Sequence, residues 1–254
     1  MTAPGAGCIQ VLTPDWPAAG RVRAAFTLRS GGVSAPPFDS LNPGAHVGDS
    51  DAAVTENRRR IHEQLQLPAD PVWLEQVHGT AVADLDALPC DAAARVTADA
   101  VLTRRPRRVC TVQVADCLPV LFAAEDGSAV AAAHAGWRGL AAGVLEATVA
   151  GLGVEPRRIN AWLGPAIGRE HFEVGAEVRA AFLAREAADE VAFTPNARGR
   201  WQCDLAALAR QRLAAMGVGA ICGGSWCTYA DRTRFFSYRR DGRCGRMAAL
   251  VWLA

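Results

Sequence analysis

Short apolar runs separated by polar turns constrain the fold of this chain more than any other feature. Each run spans four to six residues, the usual length of a buried strand. Helical patterns fall around these runs without a regular β-α-β alternation, which argues against a doubly wound sheet and predicts a layered α+β domain. The runs cover residues 72–77, 100–103, 109–114, 120–124, 129–134 and 160–163.

Periodic patterns elsewhere predict helices and one long loop. Apolar residues at near-helical spacing predict an amphipathic helix over 51–67 that ends at Pro68. Proline and glycine keep 34–50 irregular, and loops of that length in compact domains are usually functional or disordered. No repeat or linker divides the chain, so we predict one domain over 1–254 with an irregular N-terminal segment, 1–20. Further predicted elements are a strand over 21–29 and helices over 139–152, 174–188 and 204–216.

Charge and composition exclude several classes of protein. Lysine plus arginine number 27 against 26 acidic residues, and a net charge of +1 argues against a nucleic-acid partner or a polybasic membrane anchor. Every one of those basic residues is arginine, which excludes Schiff-base and P-loop lysine chemistry. Charged residues keep every apolar stretch shorter than the roughly 18 residues of a membrane span. Residues 1–20 lack the pattern of a secretory signal. We therefore expect a cytoplasmic protein with small-molecule partners, no membrane contact and most of its eight cysteines buried and reduced; the oligomeric state stays open.

Three segments carry reactive side chains at the ends of apolar runs. They place His78, Cys117 and His134 beside glycine or tryptophan, where a rigid scaffold can direct a side chain into a cleft. By spacing alone, each residue is also compatible with an ordinary buried histidine or an inert cysteine. If the three converge, two imidazoles and a thiolate supply the three protein ligands of a catalytic zinc site. The segments are WLEQVHGT (73–80), VADCLPVLF (114–122) and AAAHAGWRG (131–139).

Two other interpretations of these residues are open. Cys117 can act as a nucleophile with His78 or His134 as its base and no metal, giving an amide hydrolase that trims, for example, cell-wall precursors. A metal can instead close a purely structural site, with Cys110 or Asp116 as the fourth ligand. Metal content and the effect of chelation separate these hypotheses.

Seven motifs, taken in their order along nearly the whole chain, closely resemble those of the YfiH/YlmD family. These are laccase-domain proteins that have been labelled polyphenol oxidases and are related to the human protein FAMIN. The resemblance implies that His78, Cys117 and His134 are zinc ligands, and that a β-sandwich-like core of mixed sheets is flanked by helices. The motifs are LRSGGVS, WLEQVHG, ADCLPVLF, HAGWRGL, LGPAIG, FEVG and FFSYRRD.

The resemblance implies a zinc-dependent purine nucleoside phosphorylase. Its expected substrates are adenosine, inosine and 5'-methylthioadenosine, which phosphate converts to a free base and ribose 1-phosphate, and adenosine deamination is expected beside this reaction. The laccase label fits less well, because four copper ions need about ten histidines on general ligand preferences, whereas the chain has five. Copper bound to one Cys/His site in vitro is expected to give at most weak polyphenol oxidation.

Arginines next to the motifs are the predicted phosphate contacts. Arg29 precedes Ser30 and two glycines, so a guanidinium and closely approachable amides are available together. Arg138 is the second predicted clamp, and with Asp116 and Cys117 it forms the predicted catalytic set. An exposed arginine at a strand end is the plain alternative for Arg29.

The remaining predicted site residues are polar side chains near the metal ligands. Asp116, next to the ligand cysteine, is the predicted proton shuttle ahead of Glu75. Gln76 shares a face with His78 in an extended strand, because alternate residues point the same way. Asn42 lies in the irregular loop and is predicted to contact the substrate with Gln76.

Overall fold

A computed structural model describes residues 7–88 and 96–254. Within these ranges the strands are β1 (Val11–Leu12), β2 (Val22–Thr27), β3 (Val82–Asp84), β4 (Ala100–Thr103), β5 (Val109–Val114), β6 (Leu118–Ala124), β7 (Val130–Ala135), β8 (Ile159–Leu163), β9 (Glu173–Val174), β10 (Phe193–Pro195), β11 (Trp201–Cys203), β12 (Ala220–Gly223) and β13 (Met247–Leu253). The α-helices are α1 (Asp51–Gln64), α2 (Trp137–Ala142), α3 (Val144–Leu152), α4 (Ala176–Leu183), α5 (Leu205–Ala215) and α6 (Tyr238–Asp241). Short 3-10 helices cover Ala45–Val47, Leu85–Ala87, Pro156–Arg158, Arg169–His171 and Ala187–Ala192.

Two sheets form the centre of the molecule. The smaller sheet has four strands in the order β1-β2-β13-β5, and all its neighbours are antiparallel. The larger sheet has six strands in the order β12-β8-β6-β7-β4-β3, with antiparallel pairs in its middle and a parallel pair at each edge. A small antiparallel sheet, β10-β11-β9, lies outside these two.

Alternating side chains along the central strands bury both faces of the larger sheet. Leu121 in β6 lies in the apolar cluster between the two sheets, together with Phe26 and Val251 of the smaller sheet. Its neighbour Phe122 belongs to a second cluster, which contains Leu208 of α5 and residues of α3. Because each face meets an apolar layer, these strands are continuous apolar runs and not alternating ones.

A third apolar cluster completes the layers. Ile61 of α1 packs with Leu250 and Trp252 on the outer face of the smaller sheet. The order of layers is therefore α1, the smaller sheet, the larger sheet, and the helices α3 and α5. This arrangement confirms the predicted α+β fold with a sandwich-like core of mixed sheets flanked by helices.

Most predicted elements are present with small changes in their bounds. The runs 100–103 and 109–114 coincide with β4 and β5, and the helix predicted over 51–67 ends at Gln64. The helix predicted over 139–152 is two helices, because Gly143 between them has a left-handed φ of 107°. The strand predicted over 72–77 is wrong: this segment forms only an isolated bridge from Glu75 to Thr97.

The predicted irregular N-terminal segment contributes one short strand to the smaller sheet. Of the predicted irregular segment 1–20, residues 1–6 lie outside the described part, and the rest contains β1. Cys90 also lies outside the described residues, and the seven described cysteines are free thiols. No helix in 7–88 or 96–254 is long and apolar enough to cross a membrane. That one domain spans 1–254 stays a prediction.

Candidate metal centre and its pocket

The three predicted metal ligands converge at one end of the central strands. His134 lies in β7, Cys117 directly precedes β6, and His78 belongs to the loop before β3. Their ligand atoms all lie within 4.8 Å of one another. The Cys117 Sγ is 3.8 Å from Nε2 of His78. In the described part of the chain this is the one group of three such side chains close enough to share a metal ion.

Unusual backbone conformations allow the three side chains to meet. His78 has a φ of 61° and Asp116 a φ of 85°, both in the left-handed region that residues other than glycine seldom adopt. Gly136 provides the space between the ligands. A Cβ atom there would lie 2.8 Å from Cδ2 of His78 and 2.9 Å from Sγ of Cys117, so any larger residue displaces a ligand.

Asp99 holds the imidazole of His134 and the backbone of His78 in place. Its buried carboxylate accepts a hydrogen bond from Nδ1 of His134 at 2.8 Å. The same carboxylate accepts the backbone N–H groups of His78 at 2.9 Å and Gly79 at 2.6 Å. Asp99 therefore holds the loop against β7 and leaves Nε2 of His134 as the ring nitrogen available to a ligand, which is the usual partner arrangement of a metal-binding histidine.

Electrostatics favour a thiolate at Cys117. Burial opposes ionisation of the thiol, but the charge and hydrogen bonds of His134 and His78 outweigh burial and lower the pKa of Cys117 to about 6. Burial likewise opposes protonation of His134, but Cys117 and Asp99 raise the pKa of this imidazole to about 9. The two shifts have the same effect: they favour the thiolate of Cys117 and the imidazolium of His134.

This donor set fits a divalent metal ion. Thiolate and imidazole are the ligands that zinc prefers in tetrahedral sites, and a metal must displace the proton of His134 when it binds. Three protein ligands leave one position open, which is the pattern of catalytic and not of structural zinc sites. Cys110, considered from the sequence as a fourth ligand, is fully buried in the core between the sheets and is not part of the group.

A cavity of about 440 Å³ opens over the three ligands. Its size lies within the range of small-molecule sites. Arg239, Arg246 and His46 contribute basic groups to its wall, and Phe172 and Tyr238 contribute aromatic ones. The lining residues are His46, Gln76, His78, Gln113, Val114, Ala115, Asp116, Cys117, His134, Ile167, Phe172, Tyr238, Arg239 and Arg246.

Asp116 lines this pocket, but both of its carboxylate oxygens already have partners. The hydroxyl of Thr228 donates to Oδ1 at 2.6 Å, and the backbone N–H of Arg239 donates to Oδ2 at 2.6 Å. Asp116 therefore fastens the C-terminal segment to the turn before β6. In this arrangement its oxygens hold the wall of the pocket together, whereas the sequence suggested a proton shuttle.

Gln76 and Asn42 also fix the backbone around the pocket. The amide group of Gln76 exchanges two hydrogen bonds with the backbone of Gln113, at 2.8 and 2.7 Å, so side-chain contacts replace the strand pairing predicted for this segment. Asn42 is fully buried and does not line the pocket. Its Oδ1 accepts the backbone N–H of Arg246 at 2.9 Å, and its Nδ2 donates to Asp49 at 2.8 Å.

The structure does not bring the two predicted phosphate clamps to this pocket. The guanidinium of Arg29 donates to the carbonyl oxygens of Asp39 and Arg232, and with Ser30 it lines a separate surface pocket. Arg138 is exposed and stacks on the ring of Trp137, with its Cζ 4.4 Å from the ring centroid. The motifs could not show that both arginines lie away from the pocket, because the spacing of residues does not give the direction of a side chain at a strand end.

Sequence reasoning missed four residues of the centre: Asp99, His46, Gln113 and Arg246. A charged residue between alanines at the start of an apolar strand was the available signal for Asp99. Gln113 is 4 % exposed, and its Oε1 has no hydrogen-bond partner among the described residues. Partial burial, followed by the charges of Arg246, Arg58 and His134, lowers the pKa of His46. No local pattern connects His46 to Arg246, which lies 200 positions further along the chain.

Comparison with known families agrees with this geometry. A sequence model of the family described as multi-copper polyphenol oxidoreductase laccase matches residues 23–254. The chain belongs to this family. The YfiH/YlmD resemblance predicted from the motifs is thereby confirmed.

Curated relatives match almost their full length. A Pseudomonas aeruginosa protein named a purine nucleoside phosphorylase is 56 % identical over 243 residues, covering 95 % of this chain and 98 % of the relative. The Escherichia coli purine nucleoside phosphorylase YfiH is 52 % identical over 244 residues and covers 96 % and 99 %. The name purine nucleoside phosphorylase therefore belongs to proteins that this chain resembles over nearly its full length.

Solved structures of family members share the fold. A Neisseria meningitidis protein is 47 % identical with a TM-score of 0.91, covering 96 % of this chain and 98 % of its own. YlmD from Geobacillus stearothermophilus is 31 % identical with a TM-score of 0.83, and the coverage is 97 % and 99 %.

The family description as a multicopper enzyme is not matched by further histidine clusters in the described residues. His62 pairs with Asp70 on the surface at 2.8 Å, and His171 stacks on Tyr229 with the ring centroids 4.4 Å apart. Among those residues, the group of His78, Cys117 and His134 is the one candidate for a metal.

Proposed function

We propose that this chain is a zinc-dependent purine nucleoside phosphorylase of the cytoplasm that also deaminates adenosine. Its substrates are adenosine, inosine and 5'-methylthioadenosine together with inorganic phosphate. The observation that carries the proposal is a metal-ligand group at the floor of a pocket of suitable size, in a chain 52 % identical to a named phosphorylase over nearly its full length.

Phosphorolysis needs no covalent bond to the protein. A phosphate oxygen attacks C1' of the ribose, the bond from C1' to purine N9 breaks, and N9 keeps the electron pair and takes a proton from solvent. Deamination adds water at C6 of adenosine, and the bond to the amino nitrogen breaks to release ammonia and inosine. Zinc, when bound by His78, Cys117 and His134, supplies Lewis acidity at the floor of the pocket.

The residues of the chain bind and orient the reactants. Arg239 and Arg246 make the pocket wall basic, which suits an anionic co-substrate. Phe172 and Tyr238 provide aromatic surfaces for the purine. Gln113 also lines the pocket, and its carboxamide is the neutral group there that can hydrogen-bond the edge of the base.

Purified protein tests this function directly. Zinc-loaded enzyme is incubated with inosine in the presence and absence of inorganic phosphate, and hypoxanthine and ribose 1-phosphate are quantified. We expect both products only with phosphate, loss of both after chelation, and their return on addition of zinc. Zinc-loaded enzyme that releases no base with phosphate present contradicts the proposal.

The arrangement of Asp99, His134 and Cys117 supports a second candidate, a cysteine amide hydrolase. Asp99 orients His134 and His134 contacts Cys117, as in acyl-transferring cysteine enzymes. The Sγ would attack a carbonyl carbon, the amine would leave with a proton from His134, and water would hydrolyse the thioester. Metal-free enzyme that cleaves an amide and is inactivated by iodoacetamide supports this function, whereas activity that requires zinc rejects it.

A further inference from the structure

We propose that Arg246 and His46 form the phosphate subsite of this pocket, and this proposal rests on the phosphorylase function proposed above. The two residues come from opposite ends of the chain. Arg246 directly precedes β13, and His46 lies in the 3-10 helix Ala45–Val47. Both line the pocket that contains the three metal ligands.

Hydrogen bonds hold both the backbone and the guanidinium group of Arg246 in place. Its N–H donates to Oδ1 of the fully buried Asn42 at 2.9 Å. Its Nη1 donates to the carbonyl oxygens of Cys244 and Gly245, each at 3.1 Å. Within the described residues, Nε and Nη2 of Arg246 have no hydrogen-bond partner. Two guanidinium donors are therefore available to a ligand in the pocket, the pattern that arginine uses to bind phosphate.

The loop that carries His46 is tied to the same arginine. The Oδ1 of Asn42 accepts the backbone N–H of Gly44 at 2.9 Å as well as that of Arg246. One buried amide therefore positions the backbone on both sides of the subsite. Gly44 lies against the stem of Arg246, because a Cβ at this glycine would be 2.9 Å from Cγ of the arginine. The position of His46 relative to Arg246 is thus fixed before any ligand binds.

Charges at this wall favour an anion. In the part of the chain that the structure describes, no carboxylate lies within ion-pair distance of Arg246, and both oxygens of Asp116, the acidic residue of the pocket, are already hydrogen-bonded. Arg29, by contrast, contacts the carboxylate of Asp39 at 3.4 Å. An unpaired arginine beside a histidine, at the wall of a pocket with a metal-ligand floor, binds a phosphate dianion.

Initial-rate kinetics with inorganic phosphate test the subsite. Arg246→Gln removes the charge and most donors, and we expect the KM for phosphate to rise by about 10 to 100-fold, since hydrogen bonds that involve a charged group are stronger than neutral ones. The KM for inosine should change less than about twofold, because uniform binding is lost for one reactant alone. Arg246→Lys should restore part of the affinity, and Arg157→Gln, on the exposed surface, is the matched control.

Asn42→Ala provides a second test, since Asn42 is a positioning residue. We expect it to raise the KM for phosphate more than the KM for inosine, with zinc content unchanged. Equal increases for both reactants, or a loss of zinc, indicate a general loss of structure and contradict this role.

The outcomes separate the subsite from the proposed function. If the wild type is active and both Arg246→Gln and His46→Gln keep the wild-type KM for phosphate, the subsite is wrong and the phosphorylase function stands. If the wild type releases no base, the phosphorylase function is wrong, and calorimetric titration with inorganic phosphate decides the subsite. Binding by the wild type that is lost in Arg246→Gln supports it; equal heats, or none, overturn it.

Discussion

Charged groups meet in two regions of the molecule, one buried among the helices and one half-exposed at the pocket wall, and their partners differ. In the helical layer, Arg212 donates to Asp189 at 2.8 Å and to Glu146 at 3.1 Å, and the side chains of Arg212 and Asp189 are 5 % and 1 % exposed. Around the metal centre, Arg246 has no carboxylate partner within the described ranges. The buried charges of the helical layer are paired within the fold, whereas Nε and Nη2 of Arg246 at the pocket wall have no partner in the described residues.

The cost of burial explains this difference. Burial raises the pKa of Asp189 even though Arg212 lowers it, so the ion pair offsets its own desolvation only in part. Cys117 is partly buried, yet the histidines lower its pKa to about 6. In the first region the charged groups are each other's partners; in the second, we propose that a metal ion and an anion supply the missing partners.

The largest effect is expected at the ligand thiolate. Cys117→Ala leaves two histidine ligands, and we expect zinc to fall from about one per chain to below about one tenth, with phosphorolysis reduced at least about 1000-fold. Elemental analysis and product release measure the two quantities. Cys222→Ala, also a partly buried free cysteine, is the matched control and should keep both. Full zinc content in Cys117→Ala would remove Cys117 from the ligand set.

The paired region should respond in stability and not in binding. Arg212→Met leaves Asp189 uncompensated in the interior, and we expect the free energy of unfolding to fall by about 3–5 kcal/mol. Urea denaturation measures this change, with Arg157→Gln as an exposed control expected within about 0.5 kcal/mol. Zinc content per folded chain should stay constant. A decrease in zinc content with unchanged stability would show that Arg212 serves the metal centre and not the fold, which contradicts the account.

Asp99 combines features of the two regions, because its carboxylate is buried and it positions a metal ligand, His134. Asp99→Asn weakens the orientation of His134, and we expect zinc affinity to decrease about 10 to 100-fold. Competition with a chromophoric chelator measures the dissociation constant. Asp126→Asn, at an exposed carboxylate paired with Arg158, is the control. An unchanged affinity in Asp99→Asn means that packing alone positions His134.

The smallest effect is expected at Gln113, whose buried Oε1 lacks a partner in the described structure. Gln113→Leu removes one neutral hydrogen bond to the base, so the KM for inosine should rise by about 2 to 12-fold, corresponding to about 0.5–1.5 kcal/mol for such a bond. The KM for phosphate should stay constant. An increase confined to phosphate would place the anion and not the purine at Gln113.

The sequence was most informative where structure is local. The runs at β4 and β5 were predicted residue by residue, because strands buried on both faces have continuous apolar patterns. The ends of apolar segments also made His78, Cys117 and His134 candidates, and the resemblance to the YfiH/YlmD family implied that they are the metal ligands. The segment 72–77 was misread because Gln76 and Asp99 fasten it through side chains, which leave no periodic signal.

The pocket wall depended on contacts between distant parts of the chain. Asn42 and Arg246 are 204 positions apart, yet a hydrogen bond between them positions the backbone of the proposed phosphate subsite. Arg29 and Arg138 were better candidates by motif, but their guanidinium groups contact neighbouring carbonyls and an indole ring. Only the packing of two sheets decides which arginine reaches the cavity.

Anomalous diffraction at the zinc absorption edge, from crystals grown with zinc, tests the central claim most directly. The account predicts one strong peak within bonding distance of Nε2 of His134, a ring nitrogen of His78 and Sγ of Cys117, with a fourth position facing the pocket. A peak beside Asp189 and Glu146, or one closed by a fourth protein ligand, would contradict it.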